Sequence, residues 1–390
     1  MLAFSVYIYI SSFLISCIAA WQYSLVDDKV IHKKRSSKCI LKKGDDLKFF
    51  YLFFIILPPV LIATFRGLNV GTDTSSYLYA YNTNKVYNLI EYLKIYGKSG
   101  HDYEIGYQQI LHFSYISKGG YNLVKFLSEF LIVFFAWRGT VYYHRKFNIH
   151  TGFCLLFVYL LEYSYGLNGT RFAIGLSIFF YGFQFVIEKK AIKYFVTCFF
   201  CFLFHTTLLL TILFYFINIF EMKIFKKYLK IMILSFILLL SFSLNKILSI
   251  ILPIILIYSV KYGNYLVEKN VTYGMGIYVI FLFFLIPQIR WDSFIKKDKK
   301  WLIILIATII FIPFRYLGYI NQWFGRLSKM PEILFSVLYC GIPRLKLSYN
   351  EKLAWFLYTL ILIFGHYIIS FIIVGNGEVY PYVLDFTNYI

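Results

Sequence analysis

Charge is what this sequence has least of. Of its 390 residues only 15% are Asp, Glu, Lys or Arg, while 60% are hydrophobic, far from the balance of soluble domains. That shortage excludes a soluble globular enzyme and leaves an integral membrane protein. Acidic residues are scarcest, 19 against 39 Lys and Arg, for a net charge of +20. The basic excess does not point to nucleic acid, because it concentrates in short segments between apolar runs, as in cytoplasmic loops. The few acidic residues are dispersed and no D-x-D occurs, so no metal cluster is evident and metal-independent chemistry without a cofactor is expected. Cysteine is also rare. Of six, Cys17, Cys154, Cys198, Cys201 and Cys340 lie in or beside apolar segments and only Cys39 lies in a polar loop. The C-x-x-C of Cys198 and Cys201 lacks a second ligand pair and reads as packing, so no disulfide or metal is assigned. The first apolar segment has neither a basic n-region nor a small-residue cleavage site, and it reads as a retained span.

What is present is a series of apolar runs whose length and Lys/Arg asymmetry set spans and sides. A first span, 2–22, precedes a strongly basic stretch, 29–48, which places the N-terminus outside. The next, 49–65, carries Pro58-Pro59, which should kink it, and delivers Arg66 to the outer face. A long external loop, 66–120, follows. Residues 121–141 return to the basic patch Arg138, His144, Arg145 and Lys146. Residues 151–165 run outward, Asn168 to Arg171 turn, and 172–187 come back to Lys189-Lys190. From 194 to 220 two readings stay open. One long helix would put Lys223, Lys226, Lys227 and Lys230 outside, and a re-entrant hairpin would keep them inside. Residues 231–243 and 247–260 are then two short spans or one interrupted span, and 261–272 is external either way. The remainder alternates through 273–290, 301–316, 327–340 and 353–374, with 319–326 external and a tail from Gly375 that lacks Lys and Arg. The expected fold is therefore an all-α polytopic membrane protein, one domain over 1–390, with ten spans plus a hairpin or with twelve spans, and both termini outside. Shorter runs must tilt or be buried in protein.

The 37 tyrosines and 43 phenylalanines suit the bilayer interface and the lipid face, and by themselves say nothing about sugar binding. The charged residues of the outward turns are more informative. Arg171 keeps its charge at any accessible pH and must meet water or an anion. His205, between Phe204 and Thr206-Thr207, is an ionisable group at membrane depth. The segment from Arg66 to Tyr77 supplies two glycines for tight turns and Asp73 with Thr72 and Thr74 for capping. His101, Asp102, Tyr103, Glu104, Tyr107, Glu162, Arg315 and Arg326 fall on the same side. Clustered arginines hold phosphate or diphosphate, and adjacent carboxylates accept protons or hydrogen-bond hydroxyls. The pattern implies an outward cavity for a lipid-linked, polar, anionic substrate. The base is open among His205, Asp73, Glu104 and Glu162, with His205 favoured for its intrinsic pKa.

These residues resemble the EpsG-like, Wzy-type polymerases of bacterial exopolysaccharide, capsule and O-antigen. That family has R-x-x-x-V-G-x-D-x-x-x-Y after an early span, here Arg66 to Tyr77. It then has N-x-x-R at the start of a span with a following K-K turn, here Asn168 to Arg171 and Lys189-Lys190. A Phe-His pair matches Phe204-His205, and a late external arginine and a P-Y match Arg326 and Pro381-Tyr382. The family arginine is often followed by Gln, where Phe172 stands here.

The resemblance implies a glycosyltransferase of the bacterial cytoplasmic membrane that joins oligosaccharide repeats carried on undecaprenyl diphosphate at the outer face, without a nucleotide sugar. Arg171, His205 and Asp73 would be catalytic, and Arg66, Tyr77, Glu104, Asn168 and Arg326 would bind substrate. A flippase and a chain-length regulator of the same pathway are expected partners, and nucleic acid is not. Other readings stay open on sequence alone. A flippase or other transporter should show inverted repeats and mid-membrane charges, and none is convincing. A ligase would share the lipid diphosphate chemistry, a lipid-monophosphate-dependent glycosyltransferase would use acidic residues such as Asp73, Asp102 and Glu104, and an acyltransferase would lean on His205.

Overall fold

The computed structural model describes residues 2–33, 38–82, 87–95, 103–221, 298–309, 322–345 and 347–384. The expected spans 231–243, 247–260 and 273–290, the end of 301–316, and the candidates His101, Asp102 and Arg315 lie outside the described residues. Within them the chain is helical and forms no strand. Among the described residues, five helices are long and apolar enough to cross a membrane, namely Phe4–Asp28, Asp46–Thr64, Gly120–Phe147, Thr170–Ile187 and Tyr349–Ile373. The protein is an all-α polytopic membrane protein.

Helices α1 (Leu2–Lys33) and α2 (Lys38–Thr64) run past the borders expected from hydropathy. No Gly or Pro falls between Gln22 and Lys33, so the backbone has no reason to stop. The polar extension is fastened by charge. Asp27, only 2% exposed, meets Lys48 at 2.8 Å and Arg145 at 2.6 Å, and Asp28 lies 3.2 Å from His144. These pairs clamp α1 and α2 to the far end of α6 (Gly120–Phe147), at what is here termed the basic end of the molecule. Pro58 and Pro59 sit inside α2. Pro59 has no N–H to give to the Ile55 carbonyl, and Ser16 of α1 donates to that carbonyl instead at 2.6 Å. The Pro59 carbonyl in turn accepts from Tyr163 at 2.5 Å, so both of these carbonyls find a partner in protein.

The opposite end carries the motif segments. The stretch expected as a loop, 66–120, contains α3 (Thr74–Asn82), α4 (Leu89–Ile95) and α5 (Ile105–Ile116). Helical spacing explains this, since Tyr77, Ala80 and Tyr81 on α3 and Tyr107, Ile110, Leu111 and Ser114 on α5 each form one buried face. Residues 151–168 make one continuous helical run, α7 (Thr151–Val158), a π-helical turn Tyr159–Tyr163 and α8 (Ser164–Asn168), before α9 (Thr170–Ile187) returns.

The two readings of 194–220 are separated by the structure. Helix α10 (Ala191–Phe204) stops at His205, whose backbone is extended, and a 3-10 helix, Thr206–Glu221, runs back. Tyr194 donates to the Thr211 carbonyl at 2.6 Å, Tyr215 to Lys189 at 3.2 Å and Asn218 to Val186 at 3.2 Å. The far limb therefore ends level with the Lys189-Lys190 turn, and the segment is a hairpin with both feet at the basic end and His205 at its tip. Beyond the undescribed region come α11 (Lys300–Ile309), α12 (Gln322–Gly341) and α13 (Tyr349–Tyr367), the last continuing as a π-helix, Ile368–Ile373.

Candidate active site

The motif end is built on a clasp between two distant segments. The Gly67 N–H donates to the Val383 carbonyl at 2.7 Å, Gly71 to Glu378 at 3.0 Å and Thr72 to Gly377 at 3.2 Å. Tyr382 donates its hydroxyl to the Ile62 carbonyl at 2.9 Å and its N–H to Ser5 Oγ at 2.7 Å. Gly71 has φ +93, and a Cβ there would stand 2.9 Å from the Leu167 carbonyl oxygen, so this turn needs glycine. Asn168 locks the turn to the next motif. Its Oδ1 accepts from Thr72 Oγ1 at 2.7 Å and from the Asp73 N–H at 2.9 Å.

A cavity of about 550 Å³ opens between these segments, within the usual size of small-molecule sites. Asp73, Tyr77, Asn168, Arg171, His205 and Arg326, which are far apart in sequence, all line it. Arg171 is pinned on three sides. Nη1 makes an ion pair with Glu104, and the guanidinium lies 4.6 Å from the Tyr103 ring centre and 5.6 Å from that of Tyr77, within cation–π range. Its Nε is buried with no hydrogen-bond partner among the described residues. Glu104 also accepts from the Thr206 N–H at 3.3 Å, so one carboxylate orients both the arginine and the tip of the hairpin. Burial pushes Glu104 up, but Arg171, then His205 and the backbone N–H groups, outweigh it and hold the carboxyl below its ordinary range. Burial pushes Asp73 up, and Arg326 and Arg171 pull it only part of the way back.

His205 stands at the hairpin tip, outside both helical limbs. Its Nδ1 faces the Thr207 N–H at 3.3 Å and the Thr207 hydroxyl at 2.8 Å. An N–H can only donate, so in the neutral ring the proton belongs on Nε2.

Not every expected residue reaches the cavity. Arg66 is 2% exposed and does not line it; its guanidinium donates to the carbonyls of Ala63 at 2.8 Å and Leu167 at 3.1 Å. It closes the end of α2 from below, as a cation at a helix C-terminus does. Asn168 lines the cavity while its side-chain oxygen is taken by Thr72 and Asp73. Glu104 stands behind Arg171.

The structure also brings in groups that sequence reading passed over. Lys329, His366 and Ser370 line the cavity. Lys329 Nζ lies 3.0 Å from Glu332 and 3.7 Å from Glu162, and His366 Nε2 lies 3.5 Å from Glu332. Lys329 and Glu332 are i,i+3 neighbours within a run taken only as a span, and two charges there were the available signal.

An all-helical polytopic membrane protein with an arginine-bearing polar cavity at one end is the class that fold and site define. The chain matches the model of the EpsG family over residues 49–384 and belongs to that family. The match indicates a membrane protein of the polysaccharide-polymerase type. No curated protein and no solved structure matches it.

Proposed function

We propose that the protein is a glycosyltransferase of the cytoplasmic membrane that joins oligosaccharide repeats carried on a lipid diphosphate, with undecaprenyl diphosphate as the carrier. One observation carries this reading: Arg171 and Arg326 line a single cavity with Asp73, Tyr77 and His205. The basic segments Arg145-Lys146 and Lys189-Lys190 lie at the other end, which by the charge rule is cytoplasmic, so the cavity faces outward. The anomeric carbon of the growing chain is attacked by a hydroxyl of an incoming lipid-linked unit, and the lipid diphosphate leaves. Negative charge gathers on that diphosphate in the transition state, where fixed guanidinium groups stabilise it most. His205 adds an N–H donor from Nε2. Tyr77 and Tyr103 hold the arginine in place through their ring faces.

The test is the lipid-linked saccharide profile of cells lacking the gene, with and without the wild-type gene restored. Single repeats should pile up on the lipid in the deletion, and the ladder should return with the gene. Long polymer that still forms on its lipid would make the protein a ligase, and repeats that never reach the outer face would make it a flippase.

A further inference from the structure

Two imidazoles line the cavity, and their surroundings are opposite. At His205 the Nδ1 lone pair is met by the Thr207 N–H, the ring's proton sits on Nε2, and the cations Arg171 and Arg326 line the same cavity. Its nearest carboxylate, Glu104, is already held by Arg171 and the Thr206 N–H. Such a ring donates a hydrogen bond well and accepts a proton poorly.

His366, on α13, is placed the other way round. Its Nε2 lies 3.5 Å from Glu332 Oε1 and its Nδ1 3.3 Å from Ser370 Oγ. The carboxylate favours the tautomer with the proton on Nε2, which leaves Nδ1 as the basic atom on the side of Ser370, itself a cavity residue. Lys329 Nζ lies 3.0 Å from the same Glu332 oxygen and is hydrogen-bonded to the Leu161 carbonyl at 3.4 Å. Glu162 stands beyond Lys329 at 3.7 Å, and Arg326 shares the cavity wall. Among the described residues, the charged groups around His366 from α12 and from the π-helical turn Tyr159–Tyr163 are thus Glu332, Glu162, Lys329 and Arg326, and the contact His366 itself makes is with the Glu332 carboxylate. Lys329 lies seven residues after Gln322, roughly 10 Å along the helix axis, so this cluster forms the floor of the cavity.

We propose that His366, held between Glu332 and Ser370 on the cavity floor, takes the proton of the attacking acceptor hydroxyl. The assignment rests on the polymerase reading. The acceptor hydroxyl replaces the Ser370 hydroxyl at Nδ1. As its oxygen forms the new bond to the anomeric carbon, the bond from that carbon to the diphosphate oxygen breaks, and the electron pair departs with the lipid diphosphate. The hydroxyl proton passes to Nδ1, and the resulting imidazolium is balanced by Glu332. Donor activation and proton removal thus fall to different elements, with Arg171 on α9 and Arg326 on α12 serving the leaving group and His366 on α13 serving the nucleophile.

The test uses the purified full chain in lipid nanodiscs, supplied with lipid-linked single repeats taken from deletion cells. His366→Ala should lower kcat by about a hundredfold or more with KM little changed, and added imidazole should restore part of the rate. Binding of undecaprenyl diphosphate alone should be unaffected, which shows that the variant is folded. Glu332→Gln removes the carboxylate that stabilises the imidazolium, so the rising limb of the pH profile of kcat should move to lower pH. Wild-type kcat in His366→Ala, from a wild type that does polymerise, overturns this assignment alone. If His366→Ala no longer binds undecaprenyl diphosphate, the Glu332→Gln profile decides, and an unmoved limb overturns the assignment. A wild type that makes no polymer overturns the polymerase reading and this assignment with it.

Discussion

Replacing Arg171 with alanine is expected to lower the rate of polymer formation by about a hundredfold to a thousandfold, the loss typical of one preorganised group at a developing oxyanion. Two effects act together. The guanidinium that would meet the diphosphate is gone, and Glu104, which now spends its charge on Arg171, is left as a bare carboxylate beside a site for an anion. Lysine should not rescue the loss. A single ammonium cannot pair with Glu104, lie between the rings of Tyr77 and Tyr103 and still present a second donor edge. Ladders made from lipid-linked repeats by membranes carrying each variant provide the measurement. A full ladder from Arg171→Ala would remove the arginine from the mechanism.

The second large effect concerns stability. Lys329 is 7% exposed and lies between Glu332 and Glu162. Lys329→Met keeps the volume of the side chain but leaves two buried carboxylates without this ammonium, a change that costs about 3–5 kcal/mol when a buried pair is broken from one side. The Tm of the purified protein in detergent should fall sharply. Adding Glu332→Gln to Lys329→Met should recover much of the loss, because removing both partners is far cheaper than removing one. A single variant as stable as wild type would mean that Lys329 is not the counter-ion of this cluster.

The architecture was legible because the bilayer constrains it so strongly. Runs such as 49–65 and 172–187 have to be helices, and the alternation of basic and non-basic turns orders their ends. The cavity was partly legible for the same reason: Asp73, Arg171 and Arg326 fall on one side once the spans are counted, and they do line one space. Arg66 shows the limit of a motif. Its place in the pattern says that it belongs at the end of α2, but not whether its guanidinium turns to the cavity or to the carbonyls of Ala63 and Leu167. The break at His205 was hidden because neither Gly nor Pro marks it. What ends α10 there is tertiary, the approach of Glu104 to the Thr206 N–H. Lys329, Glu332 and His366 were missed because averaging over an apolar run conceals isolated charges, although a charge in such a run needs a partner.

The hairpin formed by α10 and the 3-10 helix Thr206–Glu221 also bears on how the protein is made. In the orientation proposed above, both feet, beside Lys189-Lys190, lie on the cytoplasmic side, so neither foot has to be threaded through the translocon. The hairpin can be pushed into the bundle from the ribosome's side after its neighbours are seated. Its polar tip reaches the far end of the bundle, where Glu104 accepts from the Thr206 N–H. On that proposal the last wall of the cavity is closed from the ribosome's side, and an unfilled slot between α5 and α9 would mark a chain whose insertion had stalled.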